Sequence, residues 1–386
     1  MDSRHRELVH ITPTNVIPST RRSMHRYNIR LATLALLGSL AFTISCSDDT
    51  TAPVAPGFLG GTAGDHEVGV VVNSLARSLT LFQHGSPGTQ QQVALGSSTT
   101  ITPTGMSVRG RVAAVPLGDA ASVALVDLQG DSVKRFFTFA SGNATGSAFV
   151  DDTTVVAANL LTNVVGRFTT GQTAAAITKT VTVAPQPTAI AVTGGRVFVV
   201  SSNLDQNFQP IGNGIVTAID PTTMTVVGTA TMGGTNSTDI SVGPDGLLYV
   251  VNTGDFSSPG SLTVLNGGTM QVVTTVANVG VGPGAVYVDA SGLAYISGFL
   301  FGTAVWSTTT RTFVRSPDNA LCAKLANGGC RGAFAATTDR AGNVYQAFFG
   351  TASLPAQLFV YKAGTFSLSD SVAVGAGASA ATIRVF

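Results

Sequence analysis

Glutamate, histidine and tryptophan are scarce in this 386-residue chain. The only glutamates are Glu7 and Glu67, the histidines number five, and Trp306 is the single tryptophan. Beyond Cys46, acid/base catalysis and imidazole metal ligation would have to draw on Glu67, His66, His84 and the aspartates, which leaves few candidates for either chemistry. Charged residues make up 11% of the chain, against about 25% in an average soluble domain. Six of the 21 basic residues precede Cys46, leaving 15 basic against 18 acidic residues after it, with no basic cluster. That balance excludes a nucleic-acid binder, which needs a stripe of cations for phosphates. What the chain has instead is 44 glycines and 44% apolar residues, with many Thr, Ser, Asn and Val. This mixture favours strands and tight turns over surface helices, and it is apolar enough to bury a sizeable core.

The longest apolar run, residues 31–44, follows the basic segment Arg26 to Arg30 and is short for a bilayer span. It reads as a signal peptide over residues 1–45, with Met24 an alternative start that gives a leader of ordinary length. Thr20-Arg21-Arg22-Ser23-Met24 also weakly resembles a twin-arginine signal. The run ends Thr43-Ile44-Ser45-Cys46, which resembles the bacterial lipobox, with Thr43 where leucine is usual. The resemblance implies a diacylated Cys46 as the mature N-terminus, anchoring the protein to a membrane of the bacterial cell envelope on its periplasmic or outer-membrane face. The alternative is an ordinary secretory signal that leaves Cys46 a plain thiol. Residues 46–66 have no period and carry prolines among glycines, the composition of a flexible tether. Two acyl chains suffice for stable attachment where one is marginal.

From residue 67 one unit recurs: a short apolar strand, a tight turn, a second apolar strand. The turns are Arg109-Gly110-Arg111, Asp151-Asp152-Thr153, Thr193-Gly194-Gly195-Arg196, Gly243-Pro244-Asp245-Gly246, Asp289-Ala290-Ser291-Gly292 and Asp339-Arg340-Ala341-Gly342. The residues before them, at 108, 150, 192, 242, 288 and 338, are spaced by 42 to 50 positions, and each unit continues with a third strand and a hairpin to a fourth. Four antiparallel strands per unit is the blade of a β-propeller. The first unit, from Glu67, lacks an innermost strand, and Ala380 to Val385 supplies one at the C-terminus. The chain is therefore read as all-β: a seven-bladed β-propeller over residues 67–386, with one blade closed by both termini so that no sheet edge is left open. A run of β-sandwiches would not explain complementary termini.

The unit Pro187 to Val192, turn, Val197 to Val200, then Ile215-Val216-Thr217-Ala218-Ile219-Asp220 resembles the YncE-like seven-bladed propellers. That resemblance covers residues 67–386, rests on repeat form, and implies an extracytoplasmic protein without specifying a reaction.

Antiparallel order puts the second-to-third connections and the crossings between blades on one face, opposite the short turns. The long segments 201–213, 252–259, 315–331 and 350–357 then share one rim, the expected binding face. Asn73, Asn159, Asn203 and Asn252 are expected to end second strands there, and Asp205 and Asp255 sit in the same loops. Asparagine suits a strand-ending turn as well as a ligand. Phe208, Phe256, Phe299 and Phe301 offer apolar contacts. No cofactor is expected, although Asn203-Leu204-Asp205-Gln206-Asn207 spaces oxygens as some calcium loops do, without the later bidentate glutamate. Cys322 and Cys330, with Gly328-Gly329 between them, are expected to form a disulfide in an exported chain.

The resulting expectation is an envelope-anchored, monomeric binding or scaffold protein that presents its rim to a protein, a glycan or a small ligand. The alternative is a metal-dependent propeller hydrolase resembling the lactonases and gluconolactonases, whose sites take a Glu, Asn and Asp set from different blades. Quinone-dependent propeller dehydrogenases resemble Trp-rich repeats, which this chain lacks.

Overall fold

The computed structural model describes Leu59 and residues 67–83, 86–326 and 328–385. The leader, Cys46, His66, His84 and, apart from Leu59, the tether lie outside the described residues. Seven four-stranded antiparallel sheets follow one another along the chain. The first holds β1 (Glu67–Asn73), β2 (Ser78–Gln83) and β3 (Ser86–Ala94). The second is β4 (Ser107–Arg109), β5 (Val112–Pro116), β6 (Ser122–Asp127) and β7 (Ser132–Thr138). The third is β8 (Ala144–Phe149), β9 (Thr154–Asn159), β10 (Val164–Thr169) and β11 (Lys179–Thr182). The fourth is β12 (Pro187–Thr193), β13 (Arg196–Ser201), β14 (Asn213–Asp220) and β15 (Thr225–Thr235). The fifth is β16 (Ser237–Val242), β17 (Leu248–Asn252), β18 (Pro259–Asn266) and β19 (Gln271–Val281). The sixth is β20 (Pro283–Val288), β21 (Leu293–Gly298), β22 (Gly302–Ser307) and β23 (Thr312–Arg315). The seventh is β24 (Ala335–Thr338), β25 (Val344–Phe348), β26 (Gln357–Tyr361) and β27 (Leu368–Ala373).

β28 (Ala378–Val385) closes the ring by pairing with β1, from Glu67 opposite Val385 to Asn73 opposite Ala378, and becomes the innermost strand of the first sheet. The sheets are thus seven blades of one propeller, stitched at the first as the complementary termini foretold. Both faces of a second strand are covered by neighbouring blades, which is why β1, β9, β13 and β17 read as unbroken Val-rich runs. The clusters between blades carry the core: Phe137 stacks on Phe168, and Tyr249 lies against Trp306. Leu59 is buried in the cluster shared by blades one and two, so the stretch read as tether includes a residue seated in the core.

Third-to-fourth hairpins repeat one device. Asp220 Oδ1 accepts from Thr222 N at 2.7 Å and Thr223 N at 3.1 Å, and Met224 N returns to Asp220 O at 2.8 Å with Met224 at φ 57°. Asn266 does the same for Gly268, Thr269 and Met270. Two features differ from the sequence reading. The fourth strands β15 and β19 run to Thr235 and Val281, farther than the hairpin pattern marked: β15 stops before left-handed Asn236, and β19 passes through left-handed Asn278 and Gly280 before stopping at Gly282. The third-to-fourth connection of blade three is long, not short: residues 170–178 lie along the outer strand of blade two, with Thr138 N on Ala175 O at 2.9 Å and Ile177 N on Thr138 O at 2.8 Å. Arg135 anchors it by donating to the carbonyls of Gln172 and Thr173. A long loop therefore also occurs among the connections expected to be short, where it packs down as a strap.

Candidate functional site

Two mouths open on the channel between the innermost strands. At one, a cavity of about 790 Å³ is lined by first-to-second turn residues such as Asp289, Asp339 and Arg340, together with Glu67. Glu67 Oε1 accepts from Arg340 N at 2.8 Å. At the other, a cavity of about 510 Å³ is lined by the starts of the innermost strands and by Phe299, Phe334 and Phe349, which enter from second-to-third and inter-blade connections. The structure thus separates Glu67 from the rim residues Asn203, Asp205 and Asp255, in second-to-third connections, and Asn252, at the end of β17, all on the side of the second mouth.

Of the rim asparagines, Asn73, Asn159 and Asn252 are the last residues of β1, β9 and β17 and are fully or almost fully buried. Asn252 accepts from Ser237 Oγ at 2.6 Å and donates to Ser261 Oγ and Thr263 Oγ1, both at 2.9 Å. Asn159 accepts from Asn143 N at 3.1 Å and donates to Ser141 O at 2.7 Å, while Asn73 donates to Thr80 Oγ1 at 2.8 Å. Their side chains tie strand ends together inside the blades, and Asn252 also lines a small cavity with Asp255 and Ser258. Asn203 lies two residues beyond the end of β13, at φ 58°, and donates to Asn213 O at 2.8 Å across the base of its loop.

Asp205 and Asp255 shape the loop tips. Asp205 Oδ1 accepts from Asn207 N at 2.8 Å and Gln209 N at 2.9 Å. Asp255 Oδ1 accepts from Ser258 N at 2.8 Å and Ser257 N at 2.9 Å, and these two N–H groups hold its carboxyl down at about 2. Between the bonds each loop turns outward at a phenylalanine, Phe208 at φ 60° and Phe256 at φ 61°. A bulky residue in the left-handed region costs about 1–3 kcal/mol, so the loops hold these rings out against backbone preference.

The exposed apolar side chains sort by position. Leu75, Leu161, Phe208, Ile211, Phe256, Phe299 and Leu300 lie in second-to-third connections of five blades, and the remaining large ones lie on outermost strands. Among the described residues, no first-to-second or third-to-fourth turn exposes a large apolar side chain. Phe301 is half-buried against Gly280 and Gly298 and serves packing. The sequence shows these residues plainly but not their common face, which needs the strand order.

The inter-blade insertion is pinned as expected: Cys322 and Cys330 are bonded, with Cα atoms 5.6 Å apart. Leu321 pairs with Thr303 of β22 through bonds of 2.8 and 3.0 Å, and Gln346 of β25 donates to Leu321 O at 2.8 Å. Behind the insertion, Phe334 packs edge-on against Phe299 at 4.5 Å and stacks on Phe349 at 4.6 Å. Sequence reasoning missed Phe334 and Phe349, because each stands beside a strand end and gains a role only when three connections meet.

The channel wall adds Asp239, which was also missed. Its Oδ2 accepts from Val286 N of the next blade and its Oδ1 from Ile240 N, both at 2.9 Å. Burial raises its carboxyl to about 6, outweighing the two N–H donors. Close approach shapes the same wall: a Cβ on Gly146 would fall 2.7 Å from Thr188 O.

These blades, their order and their closure define a seven-bladed β-propeller. No family model matches the chain, and no curated protein matches it. Among solved structures it is similar to the Kuenenia stuttgartiensis hydrazine synthase, with 14% identity and a TM-score of 0.58 over 74% of this chain and 90% of that one. It is also similar to a functionally unknown protein from Desulfotomaculum acetoxidans, with 14% identity and a TM-score of 0.61 over 82% and 98%. At this identity the likeness is one of fold.

Proposed function

We propose that the chain is an envelope lipoprotein of the YncE-like propeller kind, anchored through Cys46, whose long-loop face docks a protein partner. The observation that carries the docking is the gathering of Leu75, Leu161, Phe208, Ile211, Phe256 and Leu300 at the tips of second-to-third connections. Separate apolar side chains on a surface are ordinary, but tips from five blades on one face, among polar loop residues, form the pattern of a recognition surface. The Asp205 and Asp255 turns add preorganisation, because rings already held outward lose little freedom on binding. The leader, the lipobox-like Thr43-Ile44-Ser45-Cys46 and the pinned insertion support an exported, membrane-attached protein.

The test shortens residues 202–213 to a four-residue turn and, in parallel, replaces Thr193-Gly194-Gly195-Arg196 with another turn of compatible geometry. Capture from envelope extract should lose its specific partner in the first variant and keep it in the second; both should stay folded because loop closure depends weakly on length, the first melting somewhat lower for the lost bonds of Ser202 to Ser237 O and of Asn213 to Met232 O. Equal recovery by wild type and the loop variant, or loss with the turn variant, refutes the docking face. Mass spectrometry of the mature N-terminus tests the anchor: an acylated Cys46 is expected, and an N-terminus elsewhere refutes it.

A further inference from the structure

The channel cavity beneath the long-loop face is lined by uncharged residues with one exception. Among the described residues on its wall, Asp239 is the only carboxylate, and no lysine, arginine or histidine lines it. Asp239 keeps part of its surface accessible there, and each of its oxygens accepts a single N–H, leaving a second lone-pair direction on each. A carboxylate in such a wall has lost water without gaining a cation. At the mouth the wall becomes aromatic, with Phe334 edge-on to Phe299 and stacked on Phe349 in one cluster. The two ends are continuous. Thr238 Oγ1 donates to Gly284 O at 3.1 Å, and a Cβ on Gly284 would lie 3.3 Å from the Phe299 ring, so the aromatic cluster abuts the strand whose Val286 N reaches Asp239.

We propose that this cavity is a binding site for a small organic cation, an amine whose ammonium group sits on Asp239 and whose apolar body lies against the Phe299–Phe334–Phe349 cluster. The volume of about 510 Å³ is that of a small-molecule pocket. The carboxylate and the negative faces of the rings attract a cation and repel an anion, so the site discriminates by charge. The inference goes beyond partner docking on the loop tips and does not rest on it. The carboxyl itself is held near 6 by burial, so the site is charged at neutral pH and loses its charge in mild acid. Tyr287 of β20 is the one other titratable side chain on the cavity wall, and the neighbouring strand β12 contributes none.

Titration calorimetry of the full propeller with 2-phenylethylamine, 2-phenylethanol and phenylacetate tests the inference. The amine should bind, the alcohol at least tenfold more weakly and the acid not at all. Asp239→Asn should weaken the amine at least tenfold, and Phe334→Ala several-fold. Asp152→Asn, on an exposed turn of blade three, should leave it unchanged. Should Asp239→Asn fail to fold, the wild type still decides: its affinity for the amine should fall as the pH drops through about 6 while that for the alcohol stays constant. Absence of amine binding at millimolar concentration, equal binding of amine and alcohol, or undiminished binding by a folded Asp239→Asn overturns the proposal.

Discussion

Asn252 shows what a rim residue is for. It bridges Ser237 on the innermost strand to Ser261 and Thr263 on the third, so Asn252→Ala takes one bonding partner from each of three hydroxyl groups, two of them buried. The expected loss is about 2 kcal/mol in urea denaturation, with partner capture unchanged. A capture defect at unchanged stability would give this side chain a direct part in binding. Asp239 makes the opposite kind of prediction. Burial raises its carboxyl from 3.8 to about 6, so the folded protein holds this proton more tightly than the unfolded chain does. Its contribution to stability is therefore greatest on the acid side, falls as pH rises from about 4 to about 6, and is level above, a change of the order of 3 kcal/mol. Asp239→Asn should remove that fall, and an unaltered pH–stability curve would show that the residue does not titrate in this range. Asparagines at strand ends are visible in the sequence, but whether they point into a blade or out to solvent depends on pairing register. Asp239 gives no local sign at all, because its surroundings come from the next blade.

At the scale of elements, loops were more legible by position than by use. The insertion between β23 and β24 and the spacing of its two cysteines were evident from residue types, since an exported chain with a Gly-Gly return favours a local disulfide. The strap at residues 170–178 was not, because its anchor is Arg135 on a different blade and its apolar contact is a single Ile177. Trypsin should cut native protein poorly at Lys324 and Arg331 and readily after reduction, because opening the disulfide releases a loop whose closure is worth about 2–3 kcal/mol. Identical cleavage before and after reduction would mean that β22 and β25 hold the loop without the disulfide. Fourth strands extended beyond their hairpin signal for a similar reason: their outer halves follow the neighbouring blade, and a polar, Gly-containing sequence such as Thr231-Met232-Gly233-Gly234-Thr235 carries little period of its own.

For the whole molecule, closure was readable because it rests on a repeated strand pattern: Ala380 to Val385 matches Thr188 to Val192 and Thr238 to Val242 in form, and pairing with β1 follows. Removing residues 378–386 exposes the inner edge of β1 from Val68 to Asn73, and the truncated protein should aggregate or melt far below the full chain. A truncation that melts like wild type would mean that the ring does not depend on its last strand. Which face works was less legible, since seven exposed apolar side chains scattered over 226 positions acquire a common direction only once the blades are ordered. The most direct measurement of that face places a photo-crosslinking amino acid singly at Leu75, Phe208, Phe256 and Leu300, and at Gly194, Ala290 and Arg340 on the turns, in living cells. A common partner should crosslink from the four loop tips and from none of the three turns; adducts from the turns, or none from the tips, would contradict a docking face on the long loops.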